Sequence, residues 1–184
     1  MSVARYSIAL AAASAMSLYA TDLQAAERST LGCIGIAIGP EAMQAIGEAA
    51  LRRNDGLQAQ PVETELQSMA EAADDCRRRN GWSEDAATAA AMWTLASARI
   101  DAAAAALGRD GVDPGKVGEA MGRLTPAELE GLSRDPISRA SVAALGDHAR
   151  AMGIPTAGIV GHHIVWFAAM LAREEPQRLR FESS

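Results

Sequence analysis

Lysine is almost missing from this sequence, with Lys116 the only one among seventeen basic residues. The basic side chains that remain are outnumbered, and a formal charge of -6 speaks against a nucleic-acid partner, which needs a positive field to meet the phosphates. Aromatic residues make up only 4% of the chain, and both tyrosines, Tyr6 and Tyr19, lie near the N-terminus. Any binding surface further along therefore lacks the commonest polar aromatic. Only two cysteines occur, Cys33 and Cys76, in neither a CxxC nor a CxxCH spacing, which removes the redox dithiol and the c-type haem attachment. HExxH, GxSxG and the P-loop are absent too. Gly32, Gly35 and Gly39 do not follow a strand pattern, so they make no dinucleotide fingerprint.

What is abundant is alanine, within an apolar content of 49%. Alanine loses no side-chain entropy in a helix, and no segment alternates with period two, so helix dominates the expectation. The length suits one domain with a real core.

The first residues read as an address. Arg5 supplies a positive start and Tyr6 to Thr21 carries no charge, which is the layout of a secretory signal over residues 1–25, cut near Ala25 or Ala26. A lipidation reading of Leu31-Gly32-Cys33 fits poorly, because Asp22, Glu27 and Arg28 separate the cysteine from the apolar stretch. Export implies a periplasmic or secreted protein, and in an oxidising compartment Cys33 and Cys76 are most simply one disulfide. Closing that loop stabilises by roughly 4 kcal/mol on chain-entropy grounds and fastens the glycine-rich stretch Leu31 to Gly39.

About six helices follow, expected to form an all-α bundle or orthogonal array over 26–175, with 176–184 a polar, frayed tail. Pro40 starts the first, which stops at Asn54-Asp55-Gly56. Pro61 starts the second, whose stripe is Val62, Leu66, Met69, Ala73 and Cys76; Glu63 and Glu65 open it and Arg77, Arg78 and Arg79 close it. Ser83 caps a third, running to Gly108. Asp113-Pro114, Thr125-Pro126 and Asp135-Pro136 repeat one start signal, the middle one as a capping box with Glu128. Thr156 caps the last. From Ala151 to Ala172 no residue is formally charged, which raises a membrane span over 154–172. Gly153, Pro155, Gly158, Gly161 and two histidines interrupt it and favour a buried helix that others pack around.

Three histidines are the candidate chemistry. His162 and His163 are adjacent and point about 100 degrees apart on a helix, so both cannot bind one ion undistorted. Each sits among apolar residues, where a histidine usually bonds a backbone carbonyl or a carboxylate. The metal-binding alternative joins one of them to His148 and to Asp147, Glu119 or Glu128. A haem bundle could draw on Met43, Met69, Met152 or Met170, although methionines at helical spacing generally fill core gaps. The Asp74-Asp75 and Arg77 to Arg79 groups read as a solvated helix end. Taken together, the residues point to an exported, non-enzymatic helical protein that binds a protein or peptide or has a structural role in the envelope. The alternatives are a metal or haem protein, or an enzyme, built on His148 with His162 or His163, and a membrane-anchored subunit.

Overall fold

The computed structural model describes residues 26–59 and 61–184, so the expected signal over 1–25 lies outside the described residues. Within them the chain is all helical, with seven α-helices and no strand: α1 (Cys33–Asn54), α2 (Glu63–Asn80), α3 (Glu84–Arg109), α4 (Pro114–Met121), α5 (Pro126–Ser133), α6 (Arg139–Ala151) and α7 (Gly158–Glu182), after a short 3-10 turn at Arg28–Thr30.

Local start signals account for most of these elements. Ser83 accepts from the Ala86 N–H at 3.0 Å, and Asp113 accepts from the Gly115 N–H at 2.9 Å. Thr125 and Glu128 form the full capping box, which holds the Glu128 carboxyl below its ordinary range through the Thr125 backbone N–H first and its hydroxyl second. Pro40 also behaves as a helix start: Gly39 adopts φ 81°, a left-handed conformation that suits glycine, and breaks α1 into two pieces.

Three expectations change. The stretch before Gly39 is not loose, because Cys33 to Ile38 is itself helical and buries Ile34 completely. Asp135-Pro136 does not open a helix; its peptide bond is cis, and α6 begins at Arg139. The tail is not frayed, since α7 continues through Pro176 to Glu182 and buries Phe181 fully. Proline lacks only the N–H that would reach back one turn. The surrounding turn is tied by Arg178 to Glu175 and Glu182 and by Arg180 to Asp85, the Arg178 bond also holding the Glu175 carboxyl low.

Helix α3 is the hub, packed against α1, α2, α4 and α7. Its register with α7 is antiparallel, as Asp85 meets Arg180, Ser97 meets Glu174 and Asp110 meets His163. Its register with α1 is parallel: a Cβ on Gly35 would touch Thr94, and one on Gly47 would lie 2.2 Å from the Ala98 carbonyl. That second approach explains why alanines line α3 there and why position 47 tolerates no side chain. One apolar cluster joins the second half of α3 to α4, α5, α6 and the start of α7, around Leu107, Leu132, Leu145 and Ile164. Another gathers Ile34, Met69, Cys76, Trp82 and Phe181 at the opposite end. Helix α7 thus serves as a buried core helix, and no helix among the described residues is long and apolar enough to cross a membrane.

Cys33 and Cys76 are joined as a disulfide, with their Cα atoms 6.1 Å apart and Cys76 fully inside the second cluster. The bridge ties the first turn of α1 to the last turns of α2, where the Asn80 amide donates to the Cys76 carbonyl at 2.9 Å within α2 and reaches across to Cys33 Sγ at 3.8 Å. We expect reduction to lower stability by about 2–4 kcal/mol. Calorimetry with and without reductant checks this, and an unchanged Tm together with two titratable thiols would refute it.

Candidate functional site

Two places in the fold concentrate features beyond packing. The first lies where the ends of α1 and α3 meet the start of α7. Asp55 and Asp110 are the residues that close α1 and α3, and the parallel run of those helices brings both carboxylates to the same end of the molecule. His163, on the first turns of the oppositely directed α7, enters between them. Its Nδ1 lies 2.8 Å from Asp110 Oδ2 and its Nε2 lies 3.3 Å from Asp55 Oδ2. The imidazole is only 8% exposed. A neutral ring carries one N–H and could donate to one carboxylate; a ring protonated on both nitrogens donates to both.

His162 approaches the other oxygen of Asp55 from the solvent side and is half exposed. Its Nε2 is 2.6 Å from Asn54 Nδ2, which can only donate, and 3.0 Å from the Asn54 carbonyl, which can only accept, so the tautomer decides which of the two bonds forms; Asp55 Oδ1 stands 3.5 Å off. That Asp55 oxygen is buried and has no hydrogen bond of its own. An open pocket of about 440 Å³ adjoins it, walled by Asn54, Asp55, Ile159 and His162. His162 also borders a second pocket of about 590 Å³ beneath α6, beside Arg150 and Thr156.

The carboxylates that the fold sets beside the two adjacent histidines are Asp55 and Asp110, rather than Asp147, Glu119 or Glu128. His148 is not gathered with His162 and His163: it sits on α6, where its charge is felt by Glu128. Among the described residues no group of three or more His, Cys, Asp or Glu side chains is arranged to hold a metal ion. Asp147 pairs with Arg150 and Glu128 caps α5, so both are committed elsewhere. Asp55 and Asp110 were overlooked because each stands before a glycine and looks like turn punctuation. The repeated Asp-Gly stop after two helices was the available signal.

The second place is a furrow of about 640 Å³ between α1 and α3. Beside the close approach at Gly47, the two helices leave a channel floored by Met43, Leu51, Ala98, Ala102 and Ala105. Its rims carry charge in the same order on both helices. Glu48 precedes Arg52 on α1, and Asp101 precedes Arg109 on α3. Because the helices are parallel, the two acids stand mid-furrow and the two arginines at one end. The volume is within the range of about 300–1,000 Å³ common to ligand sites.

No family model, curated protein or solved structure matches this chain.

Proposed function

We propose that this is an exported, periplasmic or secreted helical protein that binds a partner protein rather than transforming a substrate, and that the furrow between α1 and α3 receives an amphipathic helix of that partner. The furrow is the observation that carries the reading. Parallel helices leave a straight channel, small side chains let a third backbone come close, and lining residues recur at steps of four, as Gln44, Glu48 and Arg52 do on α1. The rims define the complementary charge order: a basic residue opposite Glu48 and Asp101, an acidic one opposite Arg52 and Arg109. The disulfide and the signal-like start support export together, since structural disulfides persist in oxidising compartments.

The reading is tested with a synthetic helical peptide carrying an apolar stripe and that charge order, titrated by fluorescence anisotropy. Saturable binding is expected, weakened at least tenfold for the charge-reversed peptide and for Ala105→Trp, which fills the furrow from an exposed position. Equal binding to both peptides, or no loss in Ala105→Trp, would refute it.

A further inference from the structure

The furrow between α1 and α3 carries its charges in an order that is its own complement. Glu48 and Arg52 on α1, and Asp101 and Arg109 on α3, are all exposed along its rims. Among the described residues none of the four forms an ion pair within the chain. Glu48 accepts instead from the Gln44 amide at 2.8 Å, and Arg52 donates to the Gln58 carbonyl at 2.9 Å. Acid and base are four residues apart on α1 and eight on α3, so their midpoints fall at Ala50 and Ala105. A Cβ at position 47 would strike the Ala98 carbonyl and come within 3.1 Å of the Ala102 side chain, which fixes the register of the two helices. Ala50 then stands only about 3 Å short of Ala105 along their common direction, so the two midpoints nearly coincide. A two-fold axis crossing both helices at that level lays each of them antiparallel on its own copy.

We propose that the partner received by the furrow is a second copy of this chain, packed face to face about that axis; this rests on the reading of the furrow as a docking surface and names its occupant. Glu48 faces the second copy's Arg52, and Asp101 faces the second copy's Arg109. Each of these contacts occurs twice, as a two-fold interface requires. The charges that one chain leaves without partners are thus satisfied between two. Met43, Leu51 and Ala102 on the floor become the seam of a four-helix layer, where the alanines let the helices come close. The charge order also selects the orientation. With the helices of the two copies parallel, the same rims set acid against acid and base against base.

Sedimentation equilibrium of the oxidised protein should show a dimer that weakens as salt is raised. Glu48→Arg with Asp101→Arg makes the rims wholly basic, and Arg52→Glu with Arg109→Glu makes them wholly acidic. Each double variant should self-associate at least roughly tenfold more weakly than the parent, and mixing the two in equal amounts should restore dimers containing one of each. All four positions are exposed, so the variants should keep the parent's circular dichroism. Ala105→Glu, also at an exposed position, serves should either double variant fold poorly, because it sets two like charges together at the axis and should weaken the dimer severalfold. A monomer at every concentration up to about 100 μM, a dimer unmoved by these variants, or a mixture that stays monomeric overturns the proposal. If that monomer still binds the charge-ordered peptide, the furrow docks a different protein and only the second copy is ruled out; if it binds no peptide either, the docking reading falls with it.

Discussion

Phe181→Ala is expected to destabilise the protein by about 3–5 kcal/mol, the range for emptying a fully buried phenylalanine site. The side chain has no exposed surface, and its ring meets Trp82 edge to face, with centroids 5.0 Å apart and planes at 90°. Trp82 is in turn held by its indole N–H, which donates to the Thr30 hydroxyl at 3.0 Å. One aromatic pair therefore joins three distant stretches: the turn before α1, the start of α3 and the last turn of α7. The loss should spread to all three, because the vacated space lies beside Ile34 and Cys76 in the same cluster. Denaturant unfolding followed by tryptophan fluorescence measures it. Phe181→Leu should cost less than half as much, since it keeps most of the apolar volume. A loss under 1 kcal/mol for Phe181→Ala would mean that the end of α7 is only loosely attached.

The error about this tail shows where sequence reasoning stops. Caps and helix starts are local, and Ser83, Asp113, Thr125 and Pro40 act as their neighbours in the chain dictate. The stripe on α2 was also readable, and Val62, Met69 and Cys76 are buried as its spacing requires, although Leu66 at 38% exposure slips to the edge. Phe181 offered no such local cue. It stands among charged residues after a proline, and only the antiparallel path of α7 along α3 delivers it to Trp82. The same limit applies to the histidines. His163 was legible as a core residue with a polar partner, but the identity of that partner depends on which helix ends converge, a long-range property that no spacing encodes. The furrow has the same origin: it exists because α1 packs along α3, a pairing of helices that no local spacing announces.

His163→Leu tests that convergence most directly. The substitution keeps apolar volume at a site only 8% exposed and removes both nitrogens, leaving Asp55 and Asp110 facing each other across an aliphatic side chain that cannot donate. Leaving fully buried carboxylates without their donor would cost about 3–5 kcal/mol. Here the carboxylates keep some access to water, Asp55 at 13% and Asp110 at 22%, so a loss of roughly 2–3 kcal/mol is expected instead. For a chain of this size that is a fall of roughly 5–10 °C in Tm. The double-mutant cycle separates the pair from mere packing. Asp110→Asn alone should cost less, and in the His163→Leu background it should restore stability, because it removes a carboxylate that has lost its donor. Additive losses across the cycle would show that Asp110 and His163 do not interact, and α3 and α7 would then be joined at this end by apolar packing alone.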